Sequence, residues 1–301
     1  MDHVIIQMDF AENYACRSSE EIQSAYVNQT GVTVHPVVVY YKQDNDHKHT
    51  RIVIVSDTLA HNAQTVVTFI DNIVPEIKKL VPNVKVCHYW TDSPTSQYRY
   101  KLIFDTVVNH KTTYNCAAIW NYFEAGHGKG PCEGLGETVK TGRAMIQDAT
   151  DFFKWATETS TFEIVSFICV GDHVIREKLH DLSQFSAHLR PVKGILKLHA
   201  IVGNVPSSVL VKETSCYCSH RLSCERCSTW MEEPTRKRNP VAVETALVEN
   251  QTEPKQHVAT HTHAHAHKHA PTHTRTHTHT HTHTHGSRQC RRDLCNKIKT
   301  L

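Results

Sequence analysis

The segment His88-Tyr-Trp-Thr-Asp92-Ser-Pro94-Thr-Ser-Gln-Tyr-Arg99 decides how the rest of the chain is read. It lies at the end of an apolar run, Val84 to Trp90, that reads as a buried strand closing on Thr91-Asp92. A helical segment, Thr95 to Val108, starts at once, with Pro94 near its first turn, where a missing N–H is tolerated. An aspartate at the carboxyl end of a central strand, beside a helix start, stands where open α/β sheets place their chemistry. Aspartate also caps helices, so the meaning of Asp92 depends on which other acids the fold brings to it.

Working outward, Val4 to Met8 is a strand ending at Asp9, and Ser18 and Glu21 have the spacing of a capping box for a short helix. Val32 to Tyr41 reads as a second strand with an edge or bulge at Pro36, and Arg51 to Val55 as a third that hairpins back from it. Ser56-Asp57 caps a long helix, Thr58 to Leu80, that Pro75 kinks or divides. Cys116 to Phe123 is a fifth strand after Val84–Trp90, and a third helix runs from about Leu135 to Trp155. Short connections make the first three strands an antiparallel meander, and helical crossovers make the later ones parallel. This order predicts an α/β, RNase H-like fold: a mixed five-stranded sheet flanked by helices. With the fourth strand beside the first, Asp9 and Asp92 share one sheet end, and the third helix brings either Glu133 or Glu137, one turn apart.

Carboxylates held together repel and raise one another's pKa unless cations compensate them. Mg²⁺ and Mn²⁺ prefer such oxygen ligands, and two ions about 4 Å apart serve phosphodiester chemistry. Asp9, Asp92 and Glu133 are therefore the candidate catalytic and Mg²⁺/Mn²⁺-binding residues, with Glu137 the alternative third acid. In the glycine-rich stretch before the third helix, His127 and Lys129 are candidates for phosphate or DNA, because glycine lets backbone approach a polyanion. The spacing is not that of a Walker A loop, and no other small-molecule cofactor is indicated.

Met8-Asp-Phe-Ala-Glu-Asn-Tyr14, Glu21-Ile-Gln-Ser-Ala25, Thr91-Asp-Ser-Pro-Thr-Ser-Gln-Tyr98 and Gly126-His-Gly-Lys-Gly-Pro-Cys-Glu-Gly-Leu-Gly136 resemble blocks shared by a group of transposon-derived animal proteins similar to DDE-type transposases. The resemblance spans roughly residues 3 to 230. It implies an integrase-like catalytic core, divalent-metal-dependent DNA cleavage and strand transfer, and DNA as partner, with Asp9 and Asp92 matching the first two acids. The third acid of that group is usually Asp in Cys-Asp-Gly-hydrophobic-Gly-Gly. Here Glu133 occupies its place and Glu137 replaces a glycine. Gln97 and Arg99, on the helix after Asp92, become candidates for lining a DNA groove.

Domain organisation is read as a transposase-type core over 1–158, a satellite β region with a cysteine cluster over 159–231, and a disordered tail over 232–301. Cys216, Cys218, Cys224 and Cys227, spaced C-x-C-x5-C-x2-C, are candidate Zn²⁺ ligands. Thr260 to His285 is nearly a Thr-His repeat, whose imidazoles would also bind transition metals. The formal net charge of +3 hides a basic, histidine-rich last third. No apolar run approaches the roughly 20 residues of a membrane span. The eleven cysteines without a secretory signal point to a reducing, intracellular compartment, nuclear or cytoplasmic. The chain starts almost on a strand and reads as a truncated relic. Two further readings stand beside the catalytic one: the same fold retained to bind nucleic acid or protein without catalysis, and a metal-binding interaction protein acting through the cysteine cluster and histidine tract. The sequence leaves oligomeric state open.

Overall fold

A computed structural model describes residues 2–16, 31–123, 130–140, 146–159, 165–204, 207–215 and 230–237, all within one compact unit. At its centre is β1 (His3–Met8), antiparallel to β3 (Gly31–Gln43) on one side and parallel to β5 (Val86–Thr91) on the other. β3 turns through Asp44 and Asn45, both with positive φ, into the antiparallel β4 (Asp46–Ser56). Beyond β5 lies the parallel β6 (Ala117–Tyr122). These five strands run β4-β3-β1-β5-β6 in space, the RNase H-like order expected from the sequence.

The sheet then grows at both edges. β7 (Val165–Cys169) adds parallel to β4. β8 (Ala200–Gly203), β9 (Ser208–Lys212) and β10 (Met231–Pro234) add antiparallel, one after another, to β6. With the two-residue β2 (Tyr14–Ala15) on β3, ten strands form a mixed sheet. The strands expected in a satellite region over 159–231 thus continue the core sheet.

Strand alternation sorts the core into two layers. Val4, Ile6 and Met8 of β1, with Val37 and Val39 of β3, join the cluster under α1 (Ala63–Leu80) and α2 (Lys101–Tyr114), and α5 (Asp172–Ser186) packs beside α1. Val34 and Val38 of β3, with Val53 and Val55 of β4, face α3 (Pro131–Lys140) and α4 (Ala149–Thr159). Each fully buried aliphatic side chain here contributes roughly 1.5–3 kcal/mol.

Several boundaries differ from the sequence reading. Pro36 lies inside β3, flanked by β4, and not at an edge. Its carbonyl, and therefore its nitrogen, faces the segment beyond β1, where Asp9 N–H donates to Pro36 O at 3.3 Å and the β1 ladder has ended. α1 starts at Ala63 with Asn62 as cap and continues through Pro75 as one helix. Asp57, expected to cap it, instead accepts from Ala149 N–H at the start of α4, 2.7 Å away. The long third helix is two: Asp148 accepts from Asp151 N–H at 2.8 Å and so starts α4 as a separate element. Residues 95–100 form turns, and α2 begins at Lys101. The expected helix at 18–23, and the tail over 238–301, lie outside the described residues.

Candidate functional site

β1 and β5 pair in register with Gln7 opposite Trp90, so Asp9 and Asp92, each two residues further on, stand level at the same sheet end. Neighbouring strands are about 4.8 Å apart. Continuing the alternation directs both carboxylates to the face covered by α3. Asp9 Oδ1 accepts from Phe10 N–H at 2.8 Å. Asp92 Oδ1 is buried without a hydrogen-bond partner among the described residues.

The first turn of α3 is pinned beside them. Cys132, buried, donates its thiol to Gln7 O at 3.3 Å. Gly136 lets the helix lie close, since a Cβ there would come within 2.9 Å of Ala11 Cβ. Glu133 is exposed in that first turn, and its charge is felt at Asp9. Glu137, one turn later, is also exposed.

Burial, then the charges of Asp92 and Glu133, push the Asp9 carboxyl from 3.8 up to about 7, against the pull of the Phe10 N–H. Burial raises Asp92 to about 6. The two titrate as a pair, so their repulsion falls on whichever ionises second. Tyr98, fully buried, feels both aspartates, and burial with their charges pushes its phenol up. Its hydroxyl lies 3.2 Å from His35 Nε2, and burial keeps His35 neutral by lowering it to about 3.

The remaining expected contacts divide. Gln97 is half-buried in the turn after Asp92. Arg99 is 3% exposed and does not face a groove. Its guanidinium donates to the carbonyls of Ile195 and Leu198 and to Ser93 Oγ, and lies over the Tyr122 ring at 4.2 Å. His127, Lys129 and the cysteines 216, 218, 224 and 227 lie outside the described residues.

A second cluster escaped the sequence reading. Cys87, His110 and Cys116, all buried, place one ligand atom each within 4.8 Å of one another and could hold a metal ion. They carry no local motif, being 23 and 6 positions apart (87 to 110, 110 to 116).

The sheet order and the paired aspartates define an RNase H-like α/β protein with an acidic cluster at the carboxyl end of its parallel strands. The chain belongs to the family described as a domain of unknown function, DUF8701, which matches residues 1–215 and so includes all three acids and the Cys/His cluster. No curated protein and no solved structure matches the chain. No helix among the described residues is long and apolar enough to cross a membrane.

Proposed function

We propose that the chain is a transposase-derived domain whose Asp9, Asp92 and Glu133 bind Mg²⁺ or Mn²⁺ for phosphodiester chemistry on DNA. The observation that carries this reading is the level placement of half-buried Asp9 and Asp92 at one sheet end. The charges of Asp92 and Glu133 are felt at Asp9, although the three acids do not close to ligand spacing without an ion. Carboxylate oxygens are the donor set that hard divalent cations prefer, and Asp92 Oδ1, buried without a partner among the described residues, is an atom in want of one. A bound divalent ion would supply an activated water or hydroxyl and charge neutralisation at the leaving oxygen. The chain itself supplies position. β1 and β5 fix the two aspartates level, and Cys132 and Gly136 hold α3 against them. DNA as partner and a nuclear or cytoplasmic setting belong to the same proposal.

A second reading, the same fold without catalysis, is favoured by Arg99, which is turned into the protein where a strand-gripping cation was expected. The test is Mn²⁺- or Mg²⁺-dependent nicking and strand transfer on DNA by wild type and Asp92→Asn. Metal-dependent activity lost in the variant supports catalysis. Inactive wild type, or activity surviving in Asp92→Asn, sinks it.

A further inference from the structure

We propose that Cys87, His110 and Cys116 form a zinc site, at the opposite end of the parallel strands from the acids. The three residues come from β5, α2 and the segment just ahead of β6, so one β-α-β crossover brings them together. Cys87 lies five positions before Asp92, roughly 17 Å along an extended strand.

The distances suit a metal. The two sulfurs are 3.8 Å apart, and Cys116 Sγ lies 3.7 Å from His110 Nδ1. Tetrahedral zinc, with bonds of about 2.3 Å to sulfur and 2.0–2.1 Å to nitrogen, has S–S edges of ~3.8 Å and S–N edges of ~3.6 Å. The sulfur–sulfur and sulfur–nitrogen spacings already match, and closing on an ion requires the His110 ring to turn Nδ1 away from Cys116 O. Two thiolates and an imidazole are the borderline-soft donors that select Zn²⁺ over Mg²⁺ or Ca²⁺.

The surroundings supply the other requirements of such a site. His110 Nε2 lies 2.8 Å from the Tyr89 hydroxyl, and Nδ1 2.7 Å from Cys116 O. Ligation through Nδ1 moves the ring proton to Nε2, where it is donated to the Tyr89 oxygen, the outer contact that orients a ligating histidine. Binding releases the two thiol protons and leaves the ring neutral. Cys116 also lines a cavity of about 610 Å³ whose wall includes His3, Lys78, Asn83, Lys85 and Lys111. The cavity borders the cluster at Cys116; Cys87 and His110 do not line it.

Because the other cysteines and the histidine tract of the full chain carry metal-ligating side chains too, the test must be site-resolved. Full-length wild type is loaded with ¹¹³Cd²⁺ in place of zinc, and proton–cadmium couplings are recorded. One cadmium resonance coupled to the Cβ protons of Cys87 and Cys116 and to the His110 ring is expected. Zinc stoichiometry should fall by one equivalent in Cys116→Ser. Cadmium coupled only to other residues, or a Cys87–Cys116 disulfide formed in its place, overturns the proposal. The wild-type couplings decide it even where the variant fails to fold.

Discussion

Arg99 holds the residue next to Asp92: its guanidinium donates to Ser93 Oγ at 3.1 Å, and Ser93 in turn donates to Phe123 O at 3.1 Å. The same guanidinium reaches the carbonyls of Ile195 and Leu198. One buried cation thus ties the loop bearing Asp92 to the segment that leads into β8. Arg99 thereby fixes the position of the loop that carries Asp92.

Arg99→Lys is the direct test of that role. Lysine keeps the charge but loses the planar fork, and broken hydrogen bonds to a buried charge cost about 1.5–3 kcal/mol. Urea unfolding should show a loss of that size, and Mn²⁺ titration a weaker affinity as the Asp92 loop loosens. Wild-type stability in the variant would contradict the assignment.

The acids set a pH dependence of defined sign. Folding raises Asp9 from 3.8 to about 7 and Asp92 to about 6. Between the unfolded and folded values the folded chain binds more protons than the unfolded one, so the stability they contribute is present at low pH and is lost as pH rises from 3.8 toward 7. Asp9→Asn cannot titrate there. The Tm difference between wild type and this variant, in chelator, should move against wild type across that window. A flat difference would refute the electrostatic account.

Asp92→Asn should separate stability from metal binding. Removing one of two neighbouring half-buried charges relieves repulsion, and metal-free protein above pH 7 should gain ~0.5–2 kcal/mol, as when strained functional groups are replaced. The same variant should lose the rise in Tm that Mn²⁺ gives wild type. Thermal melts with and without Mn²⁺ measure both. A destabilised apo variant, or an undiminished Mn²⁺ response, would count against the site.

Two glycines make opposite predictions. A Cβ at Gly203 would stand 2.7 Å from Val107 O and 3.0 Å from Val108 Cα, both backbone of α2. Gly203→Ala should therefore destabilise by about 1–3 kcal/mol, since neither atom can swing aside. Gly134, in α3, has nothing within 4 Å of its Cβ position. Gly134→Ala should stabilise by roughly 0.5–1 kcal/mol, because alanine loses less freedom in a helix. Equilibrium denaturation of the pair checks both signs.

Much of the centre of the fold was legible because it is written in consecutive residues. Apolar runs closing on Asp9 and Asp92 mark strand ends, and the lengths between runs distinguish hairpins from helical crossovers. Those two features were enough to place the aspartates side by side. Helix boundaries were less legible where a cap is supplied from afar: Asp57 looks like the start of α1 but serves α4, 92 positions away.

What the sequence determined by itself, then, was the strand order at the centre and the two aspartates it aligns, since period and turn chemistry act over a few neighbouring residues. Only the tertiary structure decided how α3 lies beside them. Cys132 bonding Gln7 and Gly136 packing on Ala11 pin its first turn there. The tertiary structure likewise turned Arg99 inward, toward carbonyls 96 and 99 positions away, and gathered Cys87, His110 and Cys116. Contacts of that range leave no periodic trace in the chain; they exist only once the crossovers have closed and buried groups must find partners.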